Sequence, residues 1–80
     1  MTIEAFIAAC SLRRKKGQRQ GQAVWNELQK AAPEWVGPFR TGPLDCYYHT
    51  HPDAGRDLIA RAIDAGVLTN PEILQERGQA

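Results

Sequence analysis

The chain is poor in cysteine: Cys10 and Cys46 are the only two among 80 residues, too few for a disulfide framework. It also lacks a long apolar run. The most apolar piece, AFIAAC at 5–10, is too short to span a bilayer. Basic residues follow it rather than precede it, the reverse of a secretory signal. These absences lead to the expectation of free thiols, a reducing cytoplasmic setting and no membrane partner. No stretch alternates polar and apolar residues as a good strand does, and no segment repeats. There is no phosphate loop and no dinucleotide fingerprint. Cys46 lies near His49, but nothing orders that pair as nucleophile and base, and no Gly-rich elbow or helix start supplies an oxyanion hole. The expectation is a protein that is not an enzyme and carries no cofactor.

What remains is enough to fold. Apolar residues make up 42% of the chain, an ordinary share for a globular domain. A chain of this length forms one domain at most and buries only about 60% of its unfolded surface, so its core is small and a homodimer or other partner would help it. We assign residues 1–76 to one helical domain and 77–80 to a frayed tail.

The apolar spacing predicts an all-α fold. Ile3, Phe6, Ile7 and Cys10 share one face of a first helix running through TIEAFIAACSLRRKK, with Thr2 as its N-cap. Arg13 to Lys16 would occupy its last turn, where cations suit the dipole, and Gly17 would end it. Val24, Trp25 and Leu28 make the stripe of a second helix over 21–32, stopped by Pro33. PEWV can form a short turn with proline at its first position. A third helix is predicted over 53–65, capped by Asp53 and ended by Gly66, with Leu58, Ile59, Ala62 and Ile63 facing inward. Thr69 and Glu72 sit at capping-box spacing, so a short last helix over 69–76 completes a bundle of three to four helices. The second and third helices are separated by a long loop, 37–52, rich in proline, glycine and aromatics.

Two segments could bind something. RRKKGQRQ places five cations, Arg13, Arg14, Lys15, Lys16 and Arg19, within seven residues and without an acid. Such a run attracts polyanions by counterion release, yet it contains no aromatic to stack on a base and no helix-turn-helix signature surrounds it. The net charge is +4 over residues 1–30 and −3 over 31–80, so either end can serve as a docking surface. The loop contributes Tyr47 and Tyr48, which cannot both point inward if the backbone is extended, so one of them should reach the surface. Tyrosine and arginine are common anchors of protein interfaces.

The same loop carries both histidines, in YYHTHPD. Cys46, His49 and His51, with Asp45 or Asp53, are chemically able to ligate zinc, but the C-x2-H-x-H spacing is not a usual zinc spacing. HTHP also matches half a signature of metal-dependent deubiquitinase-like peptidases. The serine and aspartate that complete that signature are Ile59 and Ala62 here, and the resemblance is rejected. We expect no metal and read the histidines as loop residues.

Gly21, Gln22, Asn26 and Leu28, then Pro33, then Gly42, Leu44, Asp45 and Tyr48 form a pattern, G-Q-x-x-x-N-x-L, proline, G-x-x-L-D-x-x-Y. In this pattern the middle third of the chain resembles a group of small uncharacterised phage and prophage proteins. That group commonly has proline and phenylalanine where Cys46 and Tyr47 stand, which argues against Cys46 as a ligand or nucleophile. Physically the pattern reads as scaffold: Gln22 and Asn26 lie four apart on one helix face and would both hydrogen-bond the loop carrying Leu44 and Asp45. No activity comes with the resemblance. It implies only an origin, a short accessory protein of a phage or prophage. Together with the small size, the missing catalytic machinery and the uneven charge, it leads to the expectation of a protein, in the cytoplasm of a bacterial host, that binds and modulates a host protein such as a defence or regulatory factor. The candidate binding residues are Arg13, Arg14, Lys15, Lys16, Arg19, Tyr47 and Tyr48; the alternative reading makes segment 13–19 a nucleic-acid contact.

Overall fold

A computed structural model describes residues 2–68. The short helix expected over 69–76 and the tail 77–80 lie outside the described residues. Within them the chain is helical: α1 (Ile3–Arg13), α2 (Gln20–Ala31), α3 (Pro33–Val36), a 3-10 turn (Gly37–Phe39) and α4 (Arg56–Asp64), with no strand among the described residues. None of these helices is long and apolar enough to cross a membrane.

The start of α1 follows the capping rule. Thr2 is extended, and its Oγ1 accepts from the Ala5 amide at 3.1 Å. Its end does not follow the expectation. The helix stops at Arg13, Arg14 is extended (φ −62°, ψ 127°), and Lys15 and Lys16 lie beyond it. A competing turn explains this. The Gln18 amide donates to the Lys15 carbonyl at 2.9 Å, and the Lys15 amide donates to Gln18 Oε1 at 3.0 Å. Gly17 closes that turn at φ 84°, a conformation that costs other residues strain. The chain thereby reverses and enters α2 beside α1.

α2 is the central element and packs against both α1 and α3. Val24, Trp25 and Leu28 point into the core, as their spacing predicts. Ala32 leaves helical geometry before Pro33, which then occupies the first position of α3. The expected open loop from residue 37 is thus partly ordered: Gly37–Phe39 make the 3-10 turn, and Phe39 stacks tilted on Trp35 with centroids 4.8 Å apart.

Asp53 does not cap α4. That place falls to Gly55 at φ 83°. A side chain there would meet α2 and the loop: a Cβ on Gly55 would lie 2.7 Å from Val24 Cγ1 and 2.9 Å from Cys46 Sγ. Close approach of backbone to core therefore fixes where the helix begins. Its end is as expected. Gly66, left-handed at φ 76°, donates to the Ile63 carbonyl at 3.0 Å, and Val67 donates to that of Ala62 at 3.1 Å, so Val67 folds back on the last turn. Phe6 and Cys10 of α1, Val24 and Leu28 of α2, and Leu58, Ile59 and Ala62 of α4 meet in one core.

Candidate nucleic-acid interface

The basic segment is divided by the fold. Arg13, still helical, turns back across α1 to Glu27 of α2, with Nη1 to Oε1 at 3.4 Å. Its side chain is only 21% exposed, so Arg13 acts as an interhelical tie and leaves the outward-facing set. Arg14, Lys15 and Lys16 are exposed on the reversing segment. They border a shallow hollow of about 490 Å³ that also includes Arg19, Gln20 and Thr50.

Arg19 joins that hollow to the aromatic loop. Its guanidinium carbon lies 5.3 Å from the centre of the Tyr47 ring and 5.0 Å from that of Tyr48. Its Nε donates to the Tyr47 carbonyl at 3.2 Å. The two rings meet edge to face, centroids 5.1 Å apart. Tyr47 is half-buried and its hydroxyl accepts from Gln22 Nε2 at 3.1 Å, whereas Tyr48 is 76% exposed. One tyrosine reaches the surface, as the sequence predicts, and it does so against a cation. A second hollow, about 320 Å³, is lined by Tyr47, Tyr48, Trp25, Arg40, Thr41 and the acidic Asp45. Arg19 lines the first hollow and Tyr47 and Tyr48 line the second, so the contact of Arg19 with the two rings links residues of both.

The residues of the shared pattern hold this arrangement in place, in part differently from expectation. Gly21 is the closest contact between helix and loop. Its amide donates to the His49 carbonyl at 2.9 Å, and its carbonyl accepts from Cys46 Sγ at 3.4 Å. A Cβ at Gly21 would fall 1.8 Å from the Cys46 carbonyl oxygen, so no other residue fits without moving the loop. Gln22 reaches the loop, but at the Tyr47 hydroxyl rather than at Leu44 or Asp45. Asn26 faces elsewhere: it lines a hollow of about 270 Å³ on the α1 side, with Cys10 and Arg13. Asp45 binds its own loop, accepting from the amides of Thr41 at 2.7 Å and Tyr47 at 2.9 Å, and so fixes the left-handed Thr41 (φ 62°). Leu44 is half-buried against the core.

The side chains of the histidine loop diverge. Cys46 is buried and turned to Gly21, His49 is exposed, and His51 Nδ1 accepts from the Asp53 amide at 3.0 Å. Among the described residues no three histidine, cysteine or acidic side chains gather as a metal ion would need. Burial pushes the Cys10 thiol up to about 12, with the Glu27 charge adding to it. Burial likewise pushes Cys46 up to about 11, with Asp45 adding to it. Both therefore stay protonated at neutral pH.

No family model, curated protein or solved structure matches this chain, so its own geometry carries the functional reading. Sequence reasoning missed two residues that line the candidate hollows, Arg40 and Gln20. Arg40 stands apart in the chain from the basic run, and only the packing of the loop brings it to the tyrosines. The spacing of Gln20 could have marked it as the first residue of α2, but its burial depends on α1 folding back over it.

Proposed function

We propose that this protein is a non-enzymatic binder of single-stranded nucleic acid. The observation that supports this reading most is Arg19 seated over Tyr47 and Tyr48. The basic run has no aromatic of its own, and the fold supplies one from the loop. Single strands are held by cations that follow the phosphates and by rings on which bases stack. Arg14, Lys15 and Lys16 offer the first, and the exposed Tyr48 ring offers the second. A labelled single-stranded oligonucleotide, followed by fluorescence anisotropy, should bind at low salt and weaken steeply as salt rises. Absence of binding at low salt would remove this reading.

A second reading has its own support. Arginine and tyrosine are also the residues that anchor protein interfaces, and the same cluster suits an acidic patch on a host protein. This is the role expected from the small size, the uneven charge and a sequence pattern that resembles small phage and prophage proteins. Affinity purification from bacterial lysate, with and without nuclease, separates the two. Retention of nucleic acid that collapses with nuclease supports the first. One protein retained in near-stoichiometric amount, indifferent to nuclease, supports host modulation.

A further inference from the structure

α1 is apolar on nearly every side. In its sequence, IEAFIAACSLR, only Glu4, Ser11 and Arg13 are polar. Phe6 and Cys10 are fully buried, and Ile3, Ile7 and Ala9 pack partly against the same core. These residues account for one face. Ala5, Ala8 and Leu12 are exposed, and their spacing of three and four sets them in one stripe turned away from that core. Among the described residues two large apolar side chains reach the surface, and Leu12, at 88%, is the more exposed of them. A surface helix ordinarily keeps its outer face polar, and a helix apolar all round belongs in a buried position.

Shape and charge together specify what covers the stripe. Its bulky residue, Leu12, stands at one end, and Ala5 stands at the other, with Ala8 between them. A two-fold axis beside Ala8 lays a second α1 antiparallel to the first and sets each Leu12 over the Ala5 of the other copy, bulk against gap. The charges agree with this alignment. α1 is acidic in its first turn, at Glu4, and basic just past its end, at Arg14 and Lys15. Antiparallel helices bring the first turn of each to the cationic end of the other and oppose their dipoles, whereas parallel helices would set like charge against like. Glu4 already pairs with Arg56, but its side chain is 68% exposed and has room for a second cation.

We propose that the outer face of α1 is the contact through which two copies of this chain pair, antiparallel about a two-fold axis near Ala8. α1 is only about 16 Å long, so its face buries well under the roughly 1,200 Å² of a standard interface, and the pair dissociates at about micromolar concentration or weaker. The contact does not use Tyr47 or Tyr48, so it stands or falls independently of the single-strand reading.

Sedimentation equilibrium on the full chain, from about 10 µM to about 1 mM, reads the pairing. The mean mass is expected to rise with concentration from the monomer's 8.9 kDa towards twice that value. Leu12→Gln keeps the bulk and removes the apolar contact. Because Leu12 enters the interface once from each copy, the variant should pair at least about tenfold more weakly. At about 10 µM it should melt within a few degrees of the parent, since an exposed leucine contributes little to the core. Ala8→Cys, beside the axis, should cross-link under mild oxidation faster than Asp64→Cys, an exposed control on α4, and the buried Cys10 and Cys46 do not compete. Glu4→Arg and Arg14→Glu should each weaken pairing, and their combination should restore it. A mass that stays at 8.9 kDa throughout overturns the proposal. So does a Leu12→Gln protein that pairs as the parent does, or an Ala8→Cys protein that cross-links no faster than the control, since either moves the contact to another face. A Leu12→Gln monomer that melts far below the parent overturns it too, because Leu12 is then covered within its own chain. Charge reversal without restoration removes the antiparallel alignment.

Discussion

Gly21 shows how one missing side chain positions the loop of the two tyrosines. The loop bearing Tyr47 and Tyr48 sits where it does because the Cys46 carbonyl occupies the space of a Cβ on Gly21. Gly21→Ala should therefore cost at least about 3 kcal/mol, beyond ordinary overpacking, or prevent folding. Gly17 is the control. It is also a glycine and is left-handed, but a Cβ there meets nothing within 4 Å, so Gly17→Ala should cost only about 1 kcal/mol of backbone strain. Urea denaturation of both compares them, and equal midpoints would contradict the packing argument. The two thiols make a second prediction at this scale. Burial, with Glu27 and Asp45 as further causes, holds them at about 12 for Cys10 and about 11 for Cys46. Their ordinary value in an unfolded chain is about 8.5. Below that value both states keep the protons and the stabilisation is fully present. As pH rises through the range between, the unfolded chain loses protons that the folded one retains, so stability falls. Thermal melts at about pH 8 and about pH 10.5 should show that fall, and a Cys10→Ala, Cys46→Ala variant should show less of it. An equal fall in both proteins would mean the thiols do not contribute.

Between elements, α1 is tied to its neighbours by one half-buried and one exposed ion pair. Glu4 and Arg56 join α1 to α4 at 2.7 Å in the open, and the hydrogen bond from Arg56 holds the Glu4 carboxyl below its ordinary value. Arg13 and Glu27 join α1 to α2 at 3.4 Å, with Glu27 almost fully buried and its Oε2 unpartnered. Low exposure lets the second pair keep its attraction, whereas water and salt screen the first. A double-mutant cycle on Arg13→Ala and Glu27→Ala should give a coupling of about 1–2 kcal/mol. A coupling near zero would return Arg13 to the solvent-facing set of cations. The same contrast explains how much of the fold was legible in the sequence. α1, α2, the proline stop, α4 and the Gly66 ending follow from apolar spacing and turn chemistry, which are local. The early end of α1, the replacement of Asp53 by Gly55 at the start of α4, and the loss of Arg13 to Glu27 all depend on contacts between distant segments. The candidate site divides in the same way. The cations and tyrosines are visible as residue types, but nothing local says that Arg19 lies over both rings or that Gln20 is buried.

For the molecule as a whole, the net charge of +1 conceals an uneven distribution. Glu4 pairs with Arg56 and Glu27 with Arg13, so neither of these acids pairs with the outward cations Arg14, Lys15 and Lys16, while Asp45 lies on the tyrosine side of the loop. The result is a positive face that abuts an exposed ring, and the two features should contribute to binding in separable ways. Phosphate contacts release counterions, and each one contributes about 0.7 to the slope of log affinity against log salt for a single strand. Replacing Arg14, Lys15 and Lys16 together with serine should therefore lower that slope by about 2. Stacking releases no counterions. Tyr48→Ala should lower affinity by roughly tenfold or more, the equivalent of about 1–3 kcal/mol per stacked base, and leave the slope unchanged. Tyr48→Phe should bind as the parent does, because the ring and not the hydroxyl does the stacking. Anisotropy titrations over a salt series on these three variants measure both quantities at once. A Tyr48→Ala protein that binds as tightly as the parent, beside a triple variant that has lost its slope, would reduce the interface to charge alone and make the tyrosines scaffold for Arg19.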